Sequence, residues 1–369
     1  MNRWSPVGRY TVTLLIALAA MNTAPDLFAG DNIRVLLDGK ANSVTVESPG
    51  GLQADSAGGS GRRRWIIRSA TLPKSGRLRI EPKSGILRVN GRKYRGAIEV
   101  RRRSGGRLMV INDLDVEDYL RGVVPAEIPP DWEDEVLKAQ AVASRTYALY
   151  QRQETARRPY AVLATVDSQM YLGMSAERES STKAVNATAG LIVVSGGRPI
   201  PAFYHSSCGG HTENAALLWG LDETYLRGVD CDCQEISRYG LWEKRIGRSA
   251  VSVALRRCGF RLSGIKDVRL GEVTPSGHVR TVVFSDKSGP ISVPAETLRM
   301  ALGYSRIPST FFEPELWGED IVFSGRGMGH GVGLCQWGAR TLARKGFDFR
   351  RILAYYYPGT SIARAIDFE

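Results

Sequence analysis

Residues 125–152 read PAEIPPDWEDEVLKAQAVASRTYALYQR. The proline pair is followed by Asp131, a favourable N-cap, and then by acidic residues that stabilise the first turn of a helix. Apolar positions recur every three or four residues, at Val136, Ala139, Ala143 and Tyr147. This spacing predicts an amphipathic helix over about 131–152, with its N-terminus just after Glu127.

Glu127 lies between apolar residues and prolines. If these neighbours exclude water from the carboxyl group, its pKa rises and the group can donate a proton near neutral pH. The alternative is an ordinary glutamate at a helix entrance, where the macrodipole would lower the pKa instead. The residues alone leave both interpretations open.

The flanking sequence is rich in strand patterns. On the N-terminal side, residues 30–107 show short alternating apolar segments broken by Gly, Ser, Pro and Asn, which predict β-strands and hairpins. On the C-terminal side, further strand-like segments lead to a glycine-rich turn and a helix over about 335–345. Residues 249–308 have the pattern of an inserted subdomain. We therefore expect an α+β fold: a mixed, mostly antiparallel, β-rich domain with a few helices and a β-rich N-terminal region.

The first 29 residues have the layout of a secretory signal peptide, with basic residues, an apolar run over 11–20 and a polar stretch. Leu27 is a poor match to the small residue preferred before a cleavage site, so a retained N-terminal anchor is the alternative. Either way, we expect the rest of the chain in the periplasm, in the cell wall or on the outer face of the membrane. It would be peripheral to that membrane or anchored only by its N-terminus, because no later apolar run is long enough to span it.

The net charge of +12 indicates a polyanionic partner. Export argues against nucleic acid, whereas the cell wall offers the carboxylates of its muramic acid residues. The alternative is that the excess Lys and Arg only solvate the surface.

Cysteines and histidines concentrate in YHSSCGGHTE at 204–213 and CDC at 231–233. A zinc site is one interpretation, because thiolate and imidazole suit Zn²⁺; its ligands would be Cys208, His211, Cys231 and Cys233. In an exported protein, disulfides among Cys208, Cys231, Cys233 and Cys258 are the alternative, and the total of five cysteines leaves at least one thiol unpaired. Free thiols at all of these positions are the third interpretation.

A glycine-rich run, GRGMGHGVGLCQWGA, occupies residues 325–339. Glycine at every second position lets the backbone pass close to another chain or a ligand. The run lacks the Lys-Ser/Thr ending of a phosphate-binding loop and the βαβ unit of a dinucleotide site, so a nucleotide-binding function is excluded.

In their order along the chain, six segments resemble the SpoIID/LytB family, which comprises the stage II sporulation protein D domain and the LytB-type amidase enhancers. The segments are EDYLRGVVPAEIP at 117–129, LKAQAVASRTY at 137–147, DSQMYLG at 167–173, YHSSCGGHTE at 204–213, GRGMGHGVGLCQWG at 325–338 and ILAYYYPG at 352–359. The resemblance covers about 108–362 and implies one catalytic domain there. It implies a lytic transglycosylase that cleaves peptidoglycan glycan strands stripped of their stem peptides, working beside a cell-wall amidase.

The resemblance also assigns residues. It places the catalytic glutamate at Glu127, which we expect to act first as acid and then as base, with no cofactor required, leaving 1,6-anhydromuramic ends. Arg145 is the family's arginine in the following helix. It lies eighteen positions beyond Glu127, which is five turns if one helix begins at Glu127, so both side chains are expected to face one groove. A guanidinium suits the lactyl carboxylate of muramic acid, and a structural ion pair is the alternative. The remaining candidates for substrate binding are Gln169, Tyr171, Tyr204, His205, Ser206, His330 and Gln336. The tyrosines and Gln169 are equally compatible with a buried core that satisfies their polar tips.

Two rival functions remain open. The chief rival is a non-catalytic wall-binding module that enhances a partner amidase. The second is a zinc hydrolase, which is less favoured because a cysteine-rich ligand set is closed and structural, with no open position for water. Many relatives lack the cysteines, so a metal is not general to the family, and a zinc ion in such a closed ligand set would be structural.

Overall fold

The computed structural model describes residues 32–55 and 61–365. The predicted signal peptide or anchor at residues 1–29 lies outside the described residues. Within the described ranges, no helix is both long enough and apolar enough to cross a membrane.

The N-terminal part of the described chain is built from short strands, as expected for residues 30–107. They are β1 (Asn32–Ala41), β2 (Ser43–Glu47), β3 (Leu52–Ala54), β4 (Arg64–Arg68), β5 (Arg77–Pro82), β6 (Leu87–Val89), β7 (Arg92–Tyr94), β8 (Ala97–Arg102) and β9 (Leu108–Asp115). A six-stranded sheet has the order β10-β1-β9-β8-β5-β3, where β10 is Val162–Leu163, and a four-stranded sheet has the order β4-β2-β6-β7. Only the β1 and β10 pair in these two sheets is parallel.

These strands carry the positive charge of the protein. Alternation along β4 buries Trp65 and Ile67 and exposes Arg64 and Arg68. Residues 32–107 contain 18 Lys and Arg but only 5 Asp and Glu, an excess as large as the net charge of +12 of the whole chain. The rest of the chain is therefore close to neutral.

Two helices follow where the sequence predicted one. Helix α1 (Val116–Glu127) is capped by the side chain of Asp115, which accepts hydrogen bonds from two backbone amides of its first turn. It ends at Glu127 because Ile128, which precedes a proline, is extended. Helix α2 (Asp134–Glu154) begins three residues after the predicted N-cap Asp131. Trp132 is buried and packs edge-on against Trp337, which holds residues 129–132 in a turn between the two helices.

The chain then forms smaller elements around α2. They are α3 (Glu179–Ala187), β11 (Leu191–Ser195), β12 (Arg198–Pro199), β13 (Tyr204–His205) and α4 (Ala215–Trp219), followed near the C-terminus by β20 (Leu334–Cys335), α7 (Gln336–Arg344), α8 (Phe349–Tyr356) and β21 (Ser361–Arg364). Strands β13 and β20 pair in parallel, and β11 pairs with β12 and β21. The predicted helix over about 335–345 is confirmed as α7; α8 was not predicted.

Between α4 and β20, the chain builds a hydrophobic core that runs from Ile246 to Phe323. This second core is distinct from the larger core formed by the elements described above. It is longer than the inserted subdomain expected at about 249–308. Its elements are β14 (Trp242–Gly247), α5 (Arg248–Arg257), β15 (Asp267–Leu270), β16 (Thr281–Asp286), β17 (Gly289–Pro294), α6 (Ala295–Leu302), β18 (Phe312–Trp317) and β19 (Asp320–Gly325). The mostly antiparallel sheets, with helices packed beside them, confirm the α+β class.

Candidate active site

Glu127 is the last residue of α1, and its side chain is only partly accessible to solvent. Its Oε1 accepts a hydrogen bond of 2.6 Å from the backbone N–H of Met170. The side chains of Tyr204 and Gln336 also hydrogen-bond to the carboxyl group. Three chain segments that are distant in sequence therefore meet at one carboxyl group.

Burial raises the pKa of Glu127 from its ordinary value of 4.5 to about 7, and the three hydrogen bonds only partly offset this effect. The position in the helix acts in the same direction as burial, because a negative charge is disfavoured at the C-terminal end of a helix. The sequence left a raised and a lowered pKa open. The structure places the residue at the end of α1 and not at the entrance of α2, which favours the raised pKa.

A buried amide orients the hydroxyl group beside Glu127. The Nε2 of Gln169 donates to the Tyr204 hydroxyl at 3.0 Å and to the Ser144 carbonyl at 3.2 Å, while its Oε1 accepts from the Tyr119 hydroxyl at 3.1 Å. Because the Tyr204 oxygen already accepts from Gln169, its own proton is free to point at Glu127. Gln169 is thus a fully buried residue that positions the Tyr204 hydroxyl, and it was predicted as a binding residue.

Aromatic rings pack around the chain segment that carries Tyr204. Trp219, at the end of α4, is 44% exposed, and its ring lies 4.8 Å from Phe203 and 5.1 Å from His330 between centroids. His330 donates from Nε2 to the Tyr204 carbonyl at 3.0 Å and accepts at Nδ1 from the Val332 amide at 3.1 Å. The Nε2 of His330 therefore holds the segment that carries Tyr204, while its Nδ1 holds its own loop. Trp219 was missed by the sequence analysis, because a single Trp on a short apolar helix is more often a core residue.

Arg145 does not reach the site. It is fully buried in α2, with Nε donating to Glu117 Oε1 at 2.7 Å and Nη2 to Oε2 at 2.6 Å. Nη1 and Nη2 also donate to the carbonyls of Leu191 and Val185, at 3.1 and 3.4 Å. The expected contact with a lactyl carboxylate is replaced by the structural ion pair that the sequence left as the alternative.

Three other residues that were predicted to bind substrate place no side-chain group on Glu127. Tyr171 is buried and donates to Asn112 Oδ1 at 2.8 Å. His205 is buried with Nδ1 3.0 Å from the Val332 carbonyl, and burial lowers its pKa to about 4. Ser206 is partly exposed, and its carbonyl accepts from the Trp337 amide at 3.0 Å. Of the sequence-based set, only Tyr204 and Gln336 place side-chain groups on Glu127.

Four sulfur atoms form a separate cluster. The Sγ atoms of Cys208, Cys231, Cys233 and Cys335 lie within 4.8 Å of one another and all four residues are buried. His211, which the sequence analysis placed in the metal set, is outside this group: its Nδ1 lies 2.6 Å from the Thr212 carbonyl and its Nε2 faces Asp230. Cys335 takes its place because β20 runs beside β13.

Comparison with known proteins identifies the family of the chain. The family described as "Stage II sporulation protein" (SpoIID) matches residues 104–194. Stage II sporulation protein D of Bacillus subtilis is 30% identical over 281 residues, which cover 70% of this chain and 77% of that protein. An uncharacterised protein of Brachyspira hyodysenteriae is 32% identical over 259 residues, 69% of this chain and 68% of its own length. An amidase enhancer of Bacillus subtilis is 29% identical over 296 residues, 66% of this chain but 40% of its own length.

These matches define a protein of the sporulation and cell-wall class. The chain belongs to the SpoIID family.

Proposed function

We propose that the protein is a lytic transglycosylase that cleaves peptide-stripped peptidoglycan glycan strands and leaves 1,6-anhydromuramic ends. The observation that carries this proposal is a single partly accessible carboxyl group, Glu127, whose pKa is raised to about 7 and which three hydrogen-bond donors hold in place. Membership of the SpoIID family supports a role at the cell wall.

One carboxyl group suffices for this reaction. Hydrolytic glycosidases use two carboxylates, one as acid and one as base or nucleophile. The groups that hydrogen-bond to Glu127 are a backbone amide, a tyrosine and a glutamine, and none of these three is a carboxylate. In a lytic transglycosylase, the C6 hydroxyl of the muramic residue attacks its own anomeric carbon, so proximity replaces the second carboxylate and the water.

Glu127 gives up one proton and accepts another during the reaction. Protonated Glu127 gives its proton to the glycosidic oxygen as the bond to the anomeric carbon breaks. The carboxylate that results is stabilised by the Met170 amide, Tyr204 and Gln336. It then takes the proton of the C6 hydroxyl as that oxygen bonds to the anomeric carbon, which returns the enzyme to its starting state and consumes no water.

Charge and an exposed aromatic ring suit a glycan substrate. The excess of 13 positive charges over residues 32–107 would attract the carboxylates of the wall. A glycan strand would approach across the exposed ring of Trp219, which packs against the segment that carries Tyr204.

Product analysis tests the proposal. The purified protein is incubated with glycan strands from which an amidase has removed the stem peptides, and with intact peptidoglycan, and the products are weighed by mass spectrometry. The proposal expects fragments lighter by one water than those that a hydrolase releases. Fragments with the mass of hydrolysis products, or intact strands, would overturn it.

An enhancer of an amidase is the second candidate, because one relative bears the name amidase enhancer. In that case the same surface would hold glycan without cleaving it. Adding the protein to a purified cell-wall amidase, with peptide release as the readout, separates the two: an enhancer accelerates peptide release and leaves glycan length unchanged.

The pH dependence of cleavage follows from the raised pKa of Glu127. Only the protonated form can donate to the glycosidic oxygen, so kcat/KM should be constant below about pH 7 and fall about tenfold per pH unit above it. Initial rates on peptide-free strands between pH 5 and 9 give the profile. A rate that rises through pH 7 would show that the carboxylate, and not the acid, starts the reaction.

Trp219→Ala should weaken substrate binding. Its exposed ring can stack on a sugar, and the loss of such a contact raises KM roughly 5- to 10-fold with little change in kcat. Trp317→Ala is the matched control, because Trp317 is 62% exposed on β18 in the second core. Equal KM values for both variants would remove Trp219 from the substrate path.

A further inference from the structure

We propose that Cys208, Cys231, Cys233 and Cys335 bind one structural Zn²⁺ ion. Their Sγ atoms all lie within 4.8 Å of one another, and those of Cys208 and Cys233 are 3.5 Å apart. Zn–S bonds of about 2.3 Å in a tetrahedron place sulfur atoms roughly 3.8 Å apart. The four sulfurs thus already have the spacing of a closed tetrahedral site.

Hydrogen-bond donors surround the sulfur atoms. The backbone N–H groups of Cys208 and Gly338 both donate to Cys335 Sγ at 3.4 Å. The Ser207 hydroxyl donates to Cys233 Sγ at 3.5 Å, and the Tyr356 hydroxyl lies 3.2 Å from Cys231 Sγ. Donors of this kind are the outer partners that stabilise metal-bound thiolates. The N-terminus of α7, which Cys335 caps, adds a positive dipole end beside the cluster.

The backbone is shaped to let α7 approach the cluster. A Cβ atom on Gly338 would lie 2.0 Å from the Tyr356 hydroxyl oxygen and 2.3 Å from Cys231 Sγ. Only glycine fits there. A larger residue would push the start of α7, and with it Cys335, away from Cys231 and Tyr356.

Disulfides are the competing chemistry in an exported protein. A disulfide brings two sulfurs to about 2.05 Å and separates them from any other pair. Here Cys208 Sγ is 3.5 Å from Cys233 Sγ, and all four sulfurs form one compact group. Cys231 and Cys233 are also separated by a single residue. This arrangement fits four ligands around one ion better than two separate covalent pairs.

The ion would connect the segments that serve Glu127. Cys208 follows β13, which carries Tyr204, and Cys335 directly precedes Gln336. One ion would therefore hold β13 and β20 together. Tyr204 on β13 and Gln336 directly after β20 are the side chains that hydrogen-bond to the Glu127 carboxyl group. The effect of the ion on cleavage rests on the proposed function; its binding does not.

Metal analysis of the whole protein, purified without chelator, tests the site. About one zinc per chain is expected, and cobalt loaded in its place should give the visible absorption of tetrahedral Co²⁺ with thiolate-to-metal charge transfer. Cys335→Ser should lose the bound metal. Cys258→Ser and His211→Ala should keep it, because Cys258 and His211 lie outside the cluster.

If Cys335→Ser does not fold, two further measurements still test the zinc site. Thiols are counted in the unfolded parent protein, where the proposal expects five free thiols after the metal is chelated. Two disulfides in metal-free protein would overturn it, as would zinc lost from His211→Ala but retained by Cys335→Ser. Zinc is also measured in Glu127→Gln: if that variant keeps one zinc while the parent shows no cleavage, the proposed function fails and the metal site stands.

Discussion

Glu127→Gln is expected to lower the rate of glycan cleavage by about 10³-fold or more, because one residue gives a proton to the glycosidic oxygen and then accepts the proton of the C6 hydroxyl. The amide keeps the size of the side chain and can still accept from the Met170 amide. Rates are measured on peptide-free strands with the products weighed by mass spectrometry.

The stability of the Glu127→Gln variant at different pH values shows whether it is folded and whether Glu127 is buried. Burial raises the pKa of Glu127 from 4.5 to about 7, so the folded state is progressively destabilised relative to the unfolded state as pH rises from 4.5 through 7. Glu127→Gln should therefore unfold at higher urea than the parent at pH 8 and at similar urea at pH 4. Asp131→Asn, an exposed acid four residues away, is the control for both assays. Undiminished cleavage by Glu127→Gln would refute the mechanism and leave the amidase enhancer as the function to test.

Much of the local structure could be predicted from the sequence. Alternating strands before residue 108, the long helix after the prolines and the helix after the glycine run all follow from periodicity and local residue preferences, which act within a few residues. The prolines and apolar residues around Glu127 left its pKa open, and the family resemblance assigned its role. The direction of its pKa shift could not be fixed, because it depends on burial in the folded chain and on opposing hydrogen bonds from Tyr204 and Gln336, which are 77 or more positions away.

Arg145 shows where a helical phase argument fails. Counting turns from Glu127 to Arg145 assumes one continuous helix. Ile128 is extended and residues 129–132 form a turn, so α1 and α2 are two separate helices. The number of residues between Glu127 and Arg145 therefore does not predict which way the Arg145 side chain points. The partner of Arg145 is Glu117, on α1 and 28 positions earlier, which no local pattern identifies.

The sulfur cluster shows the limit of spacing rules. His211 is three residues from Cys208 and so looked like a ligand, whereas Cys335 is 102 residues beyond Cys233. The parallel pairing of β13 with β20 brings Cys335 to the cluster, and that long-range contact leaves no periodic signal in the sequence. The glycine run did carry a clue, because Gly338 is required for the close approach of α7.

Arg145→Met is expected to destabilise the protein by about 3 to 5 kcal/mol, the usual cost of removing one partner from a buried ion pair. The guanidinium is fully buried and ties Glu117 on α1 to the carbonyls of Val185 and Leu191. Methionine fills similar space but donates no hydrogen bond, so Glu117 would keep only the Gly190 amide, which donates to it at 3.0 Å. Urea unfolding monitored by circular dichroism gives the change.

A matched variant on the same helix separates this effect from a general loss of charge. Lys138 pairs with Glu135 at 2.6 Å, but both side chains are partly exposed, so Lys138→Met should cost less than about 1 kcal/mol. Arg145→Lys should fall between the two, because it keeps the charge and loses the bidentate geometry. If Arg145→Met unfolded like the parent while the KM for glycan rose, the ion pair would be dispensable and the substrate role of Arg145 would be restored. The buried contacts predict the reverse: a large loss of stability, with KM unchanged in the fraction that remains folded.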